Sequence, residues 1–164
     1  MEDQKKPTEI RPKYVAVVKA PPPLFGVSIY SDGENITEIR FEKKRVPSPT
    51  QPKVLKEAAV QMKAFLGGTR KNFELPLEVK GTDFQTSVWK ALRRIPYGQS
   101  KTYTEVATKV GKPKACRAVG NAVGKNPFPI IIPCHRVKAR GGLGGFSGGL
   151  PIKRWLLEKE SRGV

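Results

Sequence analysis

Hydrophobic and polar positions divide the chain into two textures. In the first, residues 14–19, 24–30 and 36–41 read as strands, with approximate alternation at Val27 and Ile29 and at Ile36, Ile39 and Phe41. The intervening Ser31-Asp32-Gly33-Glu34-Asn35 supplies turn residues for a hairpin. Pro47, Pro49 and Pro52 then punctuate the chain. Leu55, Ala58, Ala59, Met62, Phe65 and Leu66 recur at helical spacing and predict a helix over 54–66, stopped by Gly67-Gly68. Phe73, Leu75, Leu77 and Val79 alternate strictly and predict a further strand.

From Gly81 the signals become helical. Thr82 with Gln85 and Thr102 with Glu105 form capping-box patterns, opening helices that run to Ile95 and to Val110. Gly111 ends the second. Pro113 suits the first position of a third helix, over 113–123, which carries Lys114 and Arg117. Two short helices joined by a tight glycine-containing turn predict a helix-turn-helix, whose second helix ordinarily enters the major groove. Residues 130–134 read as a short buried extended run. Residues 141–149, GGLGGFSGG, read as a pocket wall that brings backbone close to a ligand. The last helix is predicted over 152–160, with Trp155, Leu156 and Leu157 as its apolar face. The predicted class is α+β, in two domains, 1–80 and 81–164.

Charge sharpens this division. The 164 residues hold 31 Lys and Arg against 14 Asp and Glu, a net charge of +17. Residues 1–80 contribute 15 against 10, and residues 81–164 contribute 16 against 4. A basic second half implies a polyanion: nucleic acid first, an acidic membrane surface second, with a merely solvated surface as the plain alternative. Apolar runs are too short to span a membrane, and the polar start, residues 1–13, reads as a loose tail with no leader. Two Cys and one His make neither a disulfide framework nor a zinc site, so no metal and no cofactor is expected, and a reducing, cytoplasmic setting is. Four Asn and five Gln beside many Lys, Arg and Glu lean toward a thermophilic source.

Pro133-Cys134-His135-Arg136 places the single His beside one of the two Cys. Thiolate chemistry needs a base or positive potential nearby, and a carboxylate from the last helix, Glu158 or Glu160, can orient the imidazole. An inert buried Cys beside a surface His fits the same four residues.

Residues 126–137, NPFPIIIPCHRV, resemble the active-site signature of the O6-alkylguanine-DNA alkyltransferases. The resemblance extends over about 82–160, through Ile95-Pro96-Tyr97-Gly98, Thr102-Tyr103, Arg117-Ala118-Val119-Gly120, Ser147-Gly148-Gly149-Leu150, Lys153 and Trp155-Leu156-Leu157. It implies an RNase H-like N-terminal α/β domain, resembled in pattern only, and a C-terminal winged helix-turn-helix domain bearing the reactive Cys. It also implies a monomeric, nucleoid-associated prokaryotic repair protein, with a thermophilic archaeon as the candidate source. Its partner is double-stranded DNA containing O6-alkylguanine, with O4-alkylthymine as a second candidate substrate.

The implied roles fall on named positions. Cys134 accepts the alkyl group, His135 acts as base through a water, and Glu160 orients it. Asn126 holds the active-site turn. Tyr103 crowds the target phosphate and helps protonate the departing guanine. Arg117 fills the stack vacated by the flipped base, and the helix enters the minor groove. Ser147, Gly148 and Lys153 belong to the base pocket, Phe146 is its stacking wall where the family often has Tyr, and the carbonyls of Cys134 and Val137 accept from the guanine amino group. Apart from the resemblance, the helix pair and its flanks offer Lys90, Arg93, Lys101, Lys112, Lys114, Lys125 and Arg140 as phosphate contacts, and Cys116 reads as a packed residue.

Two other classes compete. A non-catalytic winged-helix damage sensor needs the DNA surface but not the Cys–His–Glu set. A Cys-His hydrolase turns over with water and needs no basic half.

Overall fold

The computed structural model describes residues 13–163, so the reading of residues 1–12 as a tail lies outside the described residues. Strands β1 (Tyr14–Lys19), β2 (Gly26–Ser31) and β3 (Ile36–Phe41) form an antiparallel sheet in chain order. At the β2–β3 turn, Asp32 Oδ1 accepts from the backbone N–H groups of Glu34 and Asn35 at 2.9 and 2.8 Å, and Gly33 takes φ +112°. That side-chain bonding is what Asp supplies to tight turns. Helix α1 (Lys53–Leu66) lies on the sheet and buries Leu55, Ala58, Met62 and Phe65 against Val27, Ile29 and Ile36. Each large apolar side chain so buried is worth about 1.5–3 kcal/mol over exposure.

The strand expected over 73–79 is absent apart from a single parallel bridge between Ile36 and Leu77. Pro76 has no N–H to give a ladder. Its carbonyl accepts from Ile36 at 2.8 Å, and the backbone of Glu74 is taken up by the buried side chain of Gln61, at 2.9 and 3.1 Å. Phe73, Leu75 and Leu77 still turn inward, so the alternation reports burial and not a sheet.

Helix α2 (Asp83–Arg93) and helix α3 (Tyr103–Lys109) each begin with both halves of their capping box formed, at Thr82/Gln85 and Thr102/Glu105. Helix α4 (Cys116–Gly124) packs on both, and Trp89 Nε1 donates to Ala122 O at 2.8 Å. The start of α4 corrects the expectation. Lys112, Pro113 and Lys114 form a turn closed by Ala115 N donating to Lys112 O at 2.9 Å, so Lys114 precedes the helix and is exposed. Residues 130–134 are likewise not extended but tightly turned, as described below. Two short strands, β4 (Lys101–Thr102) and β5 (Val137–Lys138), pair in parallel, and β5 leads into the glycine-rich loop. Helix α5 (Leu150–Ser161) follows with Pro151 in its first turn. It buries Ile152, Lys153, Leu156 and Glu160, a face more polar than the Trp155-Leu156-Leu157 stripe expected for it. Among the described residues, no helix is long and apolar enough to cross a membrane.

Candidate active site

The turn preceding Cys134 is rigid by composition. Prolines stand at 127, 129 and 133, and Asn126 clamps the turn from within. Its Nδ2 donates to Ile132 O at 2.8 Å, and its Oδ1 accepts from Phe128 N at 2.9 Å. Ile132 N donates to Phe128 O at 2.8 Å. Ile130 is held at φ +75°, a conformation that costs a β-branched residue about 1–3 kcal/mol and persists only where surrounding packing imposes it. The turn delivers Cys134, His135 and Arg136 as a single 3₁₀ turn, all three buried.

A cavity of about 130 Å³ opens at Cys134. Its wall is made by Tyr103, by Gly120 and Gly124 of α4, and by Gly145, Phe146 and Ser147 of the glycine-rich loop. The loop closes tightly on Tyr103: Gly144 has φ +72°, and a Cβ there would stand 2.9 Å from the phenol oxygen. Lys153 and Gly148 lie behind this wall. Expected to face O6, the Lys153 Nζ instead donates to Val137 O at 2.6 Å and to Gly145 O at 2.9 Å, tying β5 to the loop. The carbonyls of Cys134 and Val137 each already accept one hydrogen bond, from Val137 N and from Lys153, leaving one lone pair apiece.

Behind Cys134 sits a buried charge network. His135 Nε2 and Glu160 Oε1 are 2.7 Å apart. Arg136 donates through Nε to both Glu160 oxygens, at 3.1 and 2.9 Å, through a terminal nitrogen to Oε1 at 2.8 Å, and to Ile95 O at 2.7 Å. Gly98 N adds a contact at 3.3 Å. The carboxylate anchoring Cys134-His135-Arg136 is therefore Glu160; Glu158 is exposed. Burial alone pushes the Glu160 carboxyl up, but hydrogen bonds from His135 and Arg136 prevail and pull it down to about 2. Burial holds the His135 pKa below its ordinary value despite the Glu160 carboxylate. A neutral imidazole beside an ionised carboxylate carries its proton on Nε2, so Nδ1 presents the lone pair. That Nδ1 is buried with no protein partner.

Burial pushes the Cys134 thiol up, opposed by hydrogen bonding from Asn126 and by the charge of Lys153. Burial in turn lowers Lys153 to about 8. The Tyr103 phenol is raised, first by burial. The thiol is thus protonated at rest and needs a base at the moment of reaction.

Arg117 projects from the exposed face of α4, whose neighbours Ala118 and Gly124 are small and exposed too. Lys90, Arg93, Lys101, Lys112, Lys114, Lys125 and Arg140 are all exposed. Cys116 is half-buried, 3.5 Å from Thr104 Oγ1. Among the described residues no group of three or more His, Cys, Asp or Glu is placed to hold a metal ion. Sequence reasoning missed the structural weight of Arg136, which spends its charge on Glu160 and not on Cys134. The shortage of carboxylates in residues 81–164 was the available signal.

Residues 83–162 match the family model described as 6-O-methylguanine DNA methyltransferase, DNA binding domain. A methylated-DNA–protein-cysteine methyltransferase of Methanosarcina barkeri is 49% identical over 127 residues, covering 74% of this chain and 80% of the relative. One of Haemophilus influenzae is 45% identical over 148 residues, 85% of this chain and 83% of the relative. The crystal structure of Mycobacterium tuberculosis OGT in complex with DNA superposes with a TM-score of 0.80 at 38% identity, covering 90% of this chain and 92% of that one. With the Cys–His–Glu arrangement intact and relatives of this similarity matched over most of their length, the chain belongs to the methylated-DNA–protein-cysteine methyltransferase family.

Proposed function

We propose that this protein repairs DNA by moving the alkyl group of O6-alkylguanine onto its own Cys134, once per molecule. The observation that carries this reading is the buried His135–Glu160 pair set immediately behind a cysteine that lines a cavity. A non-catalytic DNA binder needs no nucleophile in that cavity.

The reaction follows from the groups present. His135 Nδ1 takes the thiol proton, through a water, as Cys134 Sγ bonds to the alkyl carbon and the carbon–O6 bond breaks. Glu160 stabilises the imidazolium, and Arg136 holds Glu160 in place. The departing guanine takes a proton from the Tyr103 hydroxyl, which the imidazolium restores through solvent. The net change moves the thiol proton to guanine. The thioether has no low-barrier route back, so the protein is consumed.

O6 of a paired guanine lies inside the duplex, so the nucleotide must be flipped out. Arg117, exposed on α4 while Gly120 and Gly124 of the same helix line the cavity, is assigned to the vacated stack, from the minor groove. Asn126 positions the turn, Phe146 stacks on the base, Ser147 and the remaining lone pairs of Cys134 and Val137 receive it, and Lys153 with Gly148 supports the wall. The exposed cations, Lys114 included, take phosphates.

The division at residues 80 and 81 belongs to the same proposal. The sheet and α1 supply a scaffold, and α2 to α5 supply DNA binding and chemistry. The protein acts as a monomer on chromosomal DNA in a reducing compartment, and its charged, amide-poor composition favours a thermophilic host.

Cys134→Ala tests the reading. It should abolish transfer while leaving duplex affinity within about twofold, because binding rests on phosphate contacts. Persistent repair by that variant contradicts it.

A further inference from the structure

We infer that Phe41, at the end of β3, is a positioning residue for the alkyl-acceptor cavity: it props the Phe146–Gly148 wall from behind and so decides which O6 substituents fit. The inference rests on the proposed transfer to Cys134 and extends it to a residue outside the 83–162 segment that matches the family model.

Two spaces meet at this wall. The acceptor cavity, about 130 Å³, has Phe146 and Ser147 on its boundary. On the other side runs an open groove of about 610 Å³, bounded by Phe41, Ser147 and Gly148. Ser147 borders both, so the 146–148 segment lies between them. Phe41 holds it from the groove side. Its ring stands 6.2 Å from that of Phe146, tilted by 46°. Contact with Gly148 is closer still: a Cβ there would lie 2.8 Å from Phe41 Cδ2 and 2.8 Å from Phe146 Cε1. Gly148 is thus required because two rings close over it, without any need for positive φ.

The rest of the loop is held at few points: within it Gly142 N donates to Ala139 O at 3.3 Å and Gly149 N to Phe146 O at 3.0 Å. A Cβ at Gly142 or Gly145 would meet nothing within 4 Å. The loop is fixed at Gly144 by Tyr103, at Gly145 by Lys153, and at Gly148 by Phe41. Of these, only Phe41 comes from the N-terminal sheet, where Ile39 N also donates to Pro127 O at 2.9 Å in the active-site turn. Removing the Phe41 ring lets Phe146 fall back toward the groove. The cavity widens, a small methyl group loses its alignment on Sγ, and a bulky substituent gains room. A misplacement of about 1 Å can cost about a hundredfold in rate, so a partial shift of the wall is amply measurable.

The test uses the full chain in single-turnover reactions with duplexes carrying O6-methylguanine or O6-benzylguanine. Phe41→Ala should slow methyl transfer roughly tenfold and benzyl transfer much less, raising the benzyl-to-methyl ratio at least about threefold. Phe41→Leu, which keeps bulk at the prop, should restore the wild-type ratio. Gly148→Ala should slow methyl transfer, and adding Phe41→Ala should relieve part of that loss, so the two effects do not multiply. Uniform losses on both substrates, or a double variant equal to the product of the singles, would overturn the inference. A wild-type protein that transfers neither group would overturn the proposed function instead, and the inference with it.

Discussion

The sheet-and-α1 half and the α2-to-α5 half bury different things. The first buries Val27, Ile29, Ile36, Leu55, Met62 and Phe65, and its buried polar residues are uncharged: Ser28, Ser31 and Gln61. The second also has an apolar core, around Leu92, Val119, Phe128, Ile132 and Leu156, but buries His135, Arg136, Lys153 and Glu160 within it. Taking the charges of Arg136, Lys153 and Glu160 out of water is costly unless each is paired, and these are paired with one another or with backbone carbonyls. One half buries only apolar and uncharged polar side chains, and the other holds an imidazole, a carboxylate and a thiol in fixed relation among its apolar residues.

Matched variants break or sharpen this contrast. Leu55→Ala in α1 and Glu160→Gln in α5 should destabilise by similar amounts, about 2–5 kcal/mol for the cavity and about 3–5 kcal/mol for the unpaired Arg136. Their chemistry should diverge. Folded Leu55→Ala protein should transfer at nearly the wild-type rate, whereas Glu160→Gln loses the imidazolium partner and should be slowed by about 100-fold or more. Denaturation midpoints and single-turnover rates measured together decide it; equal rate losses would refute the contrast.

The next effect is confined to duplex substrates. Arg117→Ala should slow repair in duplex DNA by raising the net cost of flipping by about a few kcal/mol, yet leave reaction with a free O6-substituted guanine base almost unchanged. Equal losses on both would make Arg117 a structural residue.

Acid should separate the halves as well. Glu160 is lowered to about 2 from an ordinary 4.5, so its stabilisation is complete above about 4.5 and is lost as pH falls toward 2. His135 adds to this in the same direction: its folded pKa is depressed, so stability declines as pH falls below its ordinary 6.5. Lys153, lowered to about 8 from 10.5, acts at the other end, and stability should rise between those two values. Trp89 and Trp155 both lie in the second half and report on it by fluorescence. Hydrogen exchange on β1 to β3 should show protection outlasting the acid loss of tryptophan signal; simultaneous loss would show the halves to be one cooperative unit.

The smallest effect concerns Lys114. Its replacement should weaken DNA binding uniformly across sequences and reduce the salt slope by about 0.9. Titration at several salt concentrations reads it directly, and no change would place Lys114 outside the DNA interface.

Local signals were the legible ones. The boxes at Thr82 and Thr102 and the stops at Gly68 and Gly111 involve bonds within a few residues, and each is where its residues imply. The signature around Cys134 made the chemistry readable. What escaped depends on which partners a segment takes in the fold, some of them near in sequence and some far. The alternation of Phe73 to Val79 was real, but Pro76 and Gln61 keep the segment out of the sheet. Pro113 fits a first helical turn in isolation, yet the Lys112–Ala115 turn delays α4 and moves Lys114 off it. No single-residue preference puts Ile130 at positive φ; the Asn126 clamp and the neighbouring prolines impose it together. Phe41 reaches Phe146 across more than a hundred residues, a contact that no periodicity encodes.

The central claim is that Cys134 itself becomes the product. Incubating the protein with a duplex carrying O6-methylguanine and measuring its intact mass and peptide map should show one methyl group gained per molecule, located on Cys134, with an equal amount of guanine restored. A modified DNA base with an unchanged protein mass, or a methyl group on Cys116 instead, would contradict the account.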